Sequence, residues 1–545
     1  MTCIGSFLPR ARITAATIAM AVSGHLLLSA MTPIPAAAQS SESSKESWFS
    51  KLWPGASQAF SGGDQAEPQY VGVTSKDKTS GSTVTEVKKT TKATGAKDDD
   101  LFRPDPLYEA KYDPKSNVDI YGTKIDAPTP RPLLELGREQ YTSGAYDESS
   151  TILGTLNPLL PGLAVYGDWR TAVAYNRNGG RDVPQIATRV NIDVDFKITA
   201  TERIHAFFTP LQRNTQFTRF EFDRADGNGR FNGEFDLNPQ TLFFEGDFGS
   251  LYSGFTGRQA GFDLPFTVGL FPLFLQNGIW ANDAILGGAV SIPAKNSAKL
   301  GLANFDVTFF AGFDNVDNPG ILGANQKRNA NVYGVATFID AFSGYIEAGY
   351  GLLEGVRERE GDYTHFLTAA YTRRYANTIS NSTRVFANFG NGQNDDGVAI
   401  ISENSLISGL PSTLVPYANF FVGFGKPQPL VDGFNAGILK NVGINFETDA
   451  LTGYPKLDDT ASDAWGGAIG LQYLFNLDQQ LVFEAAMVQP FNSGGTGVQN
   501  PQYGLGVRYQ IALNHSWILR ADATYQFIDG AEDNFGIRTE LRRKF

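Results

Sequence analysis

Acid–base and metal chemistry leans on histidine, and the 545-residue chain has four. His25 lies in an apolar N-terminal stretch, His205 and His365 in separate segments of strand-like pattern, and His515 in a short turn. No G-x-S-x-G elbow and no H-E-x-x-H pair occurs, so neither a nucleophile–base pair nor a zinc site is legible. The run holding Asp223, Asp226, Asn228, Asn232, Glu234 and Asp236 misses the register of a calcium loop. It reads as an external polar loop, as do Asp314 and Asp317. The single cysteine, Cys3, leaves no disulfide or thiolate site for the rest of the chain. The expectation is no enzymatic activity, no cofactor and no metal.

A different pattern does stand out: charged residues spaced by two. Arg189, Asp193, Asp195 and Lys197 share one face with Ala187 and Asn191, while Ile186, Thr188, Val190, Ile192, Val194, Phe196 and Ile198 occupy the other. Successive strand side chains point to opposite faces, so this is one apolar and one charged surface. Its length exceeds the about five to six residues of an ordinary soluble strand and covers the about nine to eleven that a tilted membrane-spanning strand needs. The same alternation returns at 502–512, 516–527 and 535–545.

The elements that must carry these faces follow from the rest of the chain. After Gly162 amphipathic helices are almost absent, and 58 glycines with a 12% aromatic share accompany short alternating segments, which points to an all-β architecture. The pattern predicts eighteen strands between residues 163 and 545, with sixteen as the alternative because 203–211 and 414–447 are poorly patterned. Among the eighteen are strands at 251–258 and 437–447. Short turns such as Thr199–Glu202 and Leu513–His515 alternate with longer connections, including 353–362, 391–413, 448–464 and 491–501. An even strand number puts both ends of a barrel on one side.

At the N-terminus, Arg10 and Arg12 precede an apolar stretch from Ile13 to Ala30, and Ala36-Ala37-Ala38 offers an A-x-A site. Residues 1–38 therefore read as a signal peptide. Residues 39–105 are poor in apolar groups and read as disordered, apart from an aromatic knot at Trp48, Phe49 and Trp53. Residues 106–162 read as a lead-in that could serve as a plug. Net charge is −12 for the chain and −14 without Arg10 and Arg12, which argues against a nucleic-acid partner.

The final strand, with Phe535, Ile537, Thr539, Leu541 and Phe545 on its apolar face, resembles the C-terminal signal of bacterial outer-membrane β-barrels. Only Arg543 interrupts that face, near headgroup level, where it could snorkel. The resemblance implies a transmembrane antiparallel barrel in the outer membrane of a Gram-negative-type cell. Outer-membrane lipids would surround it, the barrel assembly machinery would read the strand ending in Phe545, and the N-terminal segment would lie in the periplasm. A homo-oligomer stays open, with no interface legible.

Closing such a barrel makes the first strand a neighbour of the last. The inward faces near that seam hold Asp168, Arg170, Arg189, Asp193, Asp195, Lys197, Arg508, Arg520, Asp522, Arg538, Glu540, Arg542 and Lys544, eight cations against five carboxylates. They could select solutes by sign or brace the wall through cross-strand ion pairs. The apolar connection 259–283 resembles the loop that general porins fold into the lumen. Packed on the inner wall, it would set Asp263 and Asp283 against Arg258 across a constriction. The function expected is passive diffusion of small hydrophilic solutes. The alternatives are a structural barrel anchoring the envelope through 39–100, and an exporter of an acidic polymer.

Overall fold

The computed structural model describes residues 132–137 and 152–545, apart from 215, 223–228, 314–315, 317, 319–329, 377, 393–395, 407–413, 434–436, 448–450, 477–478 and 493–496. The signal peptide at 1–38, the disordered reading of 39–105 and most of the lead-in therefore lie outside the described residues, as do Asp314, Asp317 and most of the calcium-like run.

Eighteen antiparallel strands form one closed wall. In chain order they are β1 (Gly162–Asn178), β2 (Arg181–Lys197), β3 (Arg203–Phe208), β4 (Thr241–Asp247), β5 (Pro265–Leu275), β6 (Ala281–Ser297), β7 (Leu302–Phe313), β8 (Ala330–Ala341) and β9 (Gly344–Gly355). The wall continues with β10 (Tyr363–Tyr375), β11 (Ile379–Gly390), β12 (Gly397–Leu406), β13 (Leu414–Gly425), β14 (Ala464–Asn476), β15 (Gln479–Pro490), β16 (Gln502–Ala512), β17 (Trp517–Ile528) and β18 (Asn534–Lys544). Each pairs with the next. β18 closes on β1 in the register Asp168↔Lys544 to Arg177↔Phe535, and Gly167 and Phe545 exchange backbone hydrogen bonds beyond it. Closure leaves no long edge to pair with other chains.

Gly162 and Phe545 mark a near rim, crossed by tight turns such as 342–343 and 513–516. The far rim carries most of the longer connections, 248–264 at the near rim excepted, and a tight hairpin, Gly179-Gly180, whose φ angles of 54° and 78° suit the two-residue turns that match strand twist. A short strand, Leu134–Gly137, pairs with the near end of β1 below the point where β18 stops. This described part of the lead-in lies at the rim, with Leu134 and Leu136 exposed.

Facing outward are Trp169, Val173, Ile186, Leu286, Leu367, Ile400, Phe420, Ile469 and Leu505, all more than a third exposed. Aromatic pairs bound this apolar belt. Phe313–Tyr333, Phe424–Phe491 and Tyr525–Phe527 stand near the far rim, and Tyr473–Phe475 near the near rim. Arg543, the one charge on the outward face of β18, sets its guanidinium 5.6 Å over the ring of Trp517, a cation–π contact that shields it.

The strand count holds, but two of its members change places. Residues 251–258 are not a strand: Phe248–Thr256 is a helix, α1, capped by the Asp247 carboxylate accepting from the Ser250 N–H and ended by Gly257 at φ 64°. Residues 437–447 are not a strand either; they form turns inside the barrel. In their stead, β5 fills the stretch expected to be an apolar loop, and β12 lies within the expected outer loop 391–413. β5 is largely apolar on both faces, and so is β12 over 398–401, before its polar run at 402–405. Val398 and Ile400 point out while Ala399 and Ile401 are buried within; Val268 points out while Phe271 and Leu273 are buried. A strand covered on both faces shows no alternation.

Candidate functional site: a divided lumen

Two unlike surfaces line the interior. From β4 to β14 the far-rim half of the inward surface is mainly apolar, with Phe271, Ile285, Phe310, Phe366, Phe386 and Phe421 all buried, while nearer the near rim the buried Arg384 pairs with Glu403, and Glu347 shares its face. What buries the apolar residues is the described part of the segment 426–463 between β13 and β14, which turns into the barrel instead of rising from it, together with the 276–280 turn, whose buried Trp280 packs edge-on against Phe310 at 6.5 Å. Leu430, Val431, Ile438, Leu439, Val442 and Phe446 are fully buried and form one core with the wall. Each such side chain contributes about 1.5–3 kcal/mol relative to exposure.

The segment crosses the lumen before it returns. Val431 and Asp432 pair in parallel with Ala281 and Asn282 of β6, on the side of the wall away from β13. The Leu430 N–H donates to the Trp280 carbonyl at 2.7 Å, and the amide of Asn318, itself buried, donates to the carbonyls of Pro429 and Leu430. Lys440 pairs with Asp432 within the segment, and both are buried.

On its return the segment is fastened by polar groups. Glu484, on the inward face of β15, accepts from the N–H groups of Ile444 and Asn445 and from the Asn445 amide, at 2.8–2.9 Å. It also accepts the Tyr417 hydroxyl at 2.6 Å. Thr524 of β17 donates to the Asn445 side-chain oxygen at 3.0 Å, and Asn176 of β1 and Gln185 of β2 both donate to the Thr452 carbonyl. Glu447 then reaches Arg508 at 2.5 Å and Arg520 at 3.1 Å. Burial pushes its carboxyl up, but the two guanidiniums outweigh that and lower it to about 2. Tyr454, lodged under the Arg538 guanidinium at 5.2 Å, has its hydroxyl raised by burial.

The other surface is the seam, where β16, β17, β18, β1 and β2 meet. The register sends the expected residues inward: Arg170 lies opposite both Arg189 and Arg542, Asp168 opposite Lys544, and Asp522 opposite both Arg508 and Arg538. Asp168 holds Arg170 and Arg542, each at 2.8 Å, and Asp522 holds Arg508, Arg520 and Arg538 at 2.7–2.8 Å. Glu540 stands 4.0 Å from Arg170. Five arginines, Arg170, Arg508, Arg520, Arg538 and Arg542, therefore share four carboxylates: Asp168, Asp522, Glu540 and Glu447. Arg189 hydrogen-bonds Asn191 at 2.7 Å and lies 5.5 Å over the Phe217 ring, with no ion pair among the described residues. Toward the near rim Asp195 meets Arg203 at 3.6 Å, and His205 bonds Glu245 at 2.9 Å. Asp193 and Lys197 face the same side.

The constriction expected from Arg258, Asp263 and Asp283 does not form. Arg258 and Asp263 are exposed on the connection between β4 and β5 at the near rim, whereas Asp283 begins β6 at the far rim, the whole of β5 away. Asp283 does meet the internal segment, since a Cβ on Gly433 would stand 2.5 Å from its carboxylate oxygen. The narrowing belongs to 426–463. Its fasteners Glu447, Asn445 and Glu484 carry no pattern of their own in the sequence; the inward carboxylate of Glu484 between Val482 and Ala486 is the nearest thing to a signal.

No known protein family matches the sequence, and no curated protein matches it. Among solved structures the chain is similar to OccK2 (OpdF) of Pseudomonas aeruginosa, at 11% identity and a TM-score of 0.48, covering 70% of this chain and 97% of that one. OccAB3 of Acinetobacter baumannii gives 12% and 0.46, covering 70% and 99%. OccAB4 of the same organism gives 11% and 0.46, covering 70% and 97%.

Proposed function

We propose that the protein is an outer-membrane channel through which small hydrophilic solutes diffuse passively, along a path that follows the arginine-rich seam. One observation carries the reading: a closed wall, apolar outside between aromatic clusters, encloses a lumen that an internal segment fills on one side and leaves charged on the other. A barrel of this strand number is wide enough for an aqueous path, and charged side chains along it need water or partners to solvate them. Sieving belongs to 426–463, and the sign preference to the seam, where cations outnumber carboxylates once Lys197 and Lys544 are counted and where, among the described residues, Arg189 has no carboxylate paired to it. Small anions are the favoured solutes. In this reading the near rim faces the periplasm, and β18 with Phe545 is the strand offered to the assembly machinery.

Single-channel recording of refolded protein in a planar bilayer tests it. Stable open steps are expected, with a reversal potential under a salt gradient that reports anion preference. Well-folded protein that stays electrically silent would overturn the channel and favour a barrel that anchors the envelope. Cation preference would leave the channel standing but take selectivity away from the seam.

A further inference from the structure

We infer that α1 is an in-plane interfacial helix, seated in the headgroup region of the leaflet around the near rim. The inference rests on the membrane-barrel reading and adds a second, non-spanning contact with lipid. Within α1, Phe248, Tyr252 and Phe255 fall at i, i+4 and i+7, one face of a helix, and all are exposed, Phe255 at 69%. Phe262, from the connection that follows, is exposed beside Tyr252, with ring centroids 6.2 Å apart. The opposite face is Gly249, Ser253 and Gly254, and it is buried. A Cβ on Gly254 would lie 2.1 Å from the Leu153 carbonyl oxygen, and one on Gly249 would lie 2.2 Å from that of Phe262. Small residues thus let the backbone close against the rim and turn the aromatic face away from the protein.

Where that face points is settled by its first ring. Phe248 stacks on Phe266 at 4.2 Å, and Phe266 packs at 5.8 Å on Phe244. Phe244 and Phe266 belong to the outward faces of β4 and β5, in line with Leu242, Val268 and Leu270. The aromatic face of α1 therefore continues the lipid-facing belt past the end of the strands. The helix has no charged residue, and Arg258 follows its cap directly, exposed. Amphipathic rings flanked by a cationic tip suit the interface, where apolar bodies and polar tips are both solvated.

A nitroxide on Phe255→Cys, in a Cys3→Ser background and in vesicles of phosphatidylethanolamine and phosphatidylglycerol, measures the depth. Oxygen is expected to relax this label more strongly than a water-soluble nickel chelate does, at a depth shallower than a label on Leu505→Cys in the wall. Nickel access equal to that of a label on Asp529→Cys, in a far-rim turn, would overturn the inference by placing the face in water. Shielding from both reagents would overturn it by putting protein over the face. If the Leu505 label is itself in water, the membrane reading fails first; if it is in lipid and the Phe255 label is not, only the interfacial helix fails.

Discussion

Glu447 ties the internal segment to the wall through two arginines that also belong to Asp522. Its carboxyl drops from an ordinary 4.5 to about 2 in the folded protein. For an acid lowered by folding, the tie is complete above the ordinary value and is lost as pH falls toward the folded one. The side chain keeps 35% exposure to lumen water, so the effect is local rather than a determinant of global stability. Current noise from the segment should therefore rise as pH falls from about 4.5 to about 2. Glu447→Gln should show the low-pH noise already at neutral pH, with the open barrel otherwise intact. Noise that is unchanged in the variant would mean that Glu484 and the apolar core hold the segment alone. The arginines of this cluster were legible because each alternates with outward apolar neighbours. Glu447 was not, because it lies on irregular backbone where spacing carries no facing information.

At the scale of elements, alternation reveals a strand only where one face is apolar and the other polar. The seam strands β16, β17, β18, β1 and β2 meet that condition, and their register could be read directly. On the filled side of the lumen the inner face is also apolar, so the run from Pro265 to Leu275 looks like a greasy loop until its partner segment is known. Leu270 distinguishes the two descriptions. In the wall it stands opposite Leu242 and Leu286, all on the outward face. Leu270→Arg should then destabilise the barrel by about 2–4 kcal/mol, as a guanidinium placed on the lipid face does, measured by urea unfolding in lipid vesicles. A luminal loop would instead accept the arginine with little loss of stability and a change in conductance. The helix α1 escaped notice for a related reason: Leu251, Ser253 and Phe255 alternate by accident, while the signals that decide its fold are the Asp247 cap and the Gly257 stop.

For the whole molecule, the unequal halves of the lumen separate two properties that a symmetrical pore would mix. In the channel proposed above, width falls to 426–463, which occupies the apolar side, and sign to the seam, which the segment touches chiefly through Glu447, Asn445, Thr452 and Tyr454. Replacing 430–460 with a short glycine–serine link should raise single-channel conductance by roughly twofold or more, since an unfilled barrel of this size leaves a wide channel. It should also strengthen anion preference, because Glu447 leaves with the segment while Arg508 and Arg520 stay. Neutralising Arg170, Arg189 and Arg508 together in the intact protein should do the converse, shifting the reversal potential toward cations with a smaller change in conductance. If excision instead abolishes selectivity, the arginines matter only where the segment presses solutes against them, and width and sign are one property rather than two.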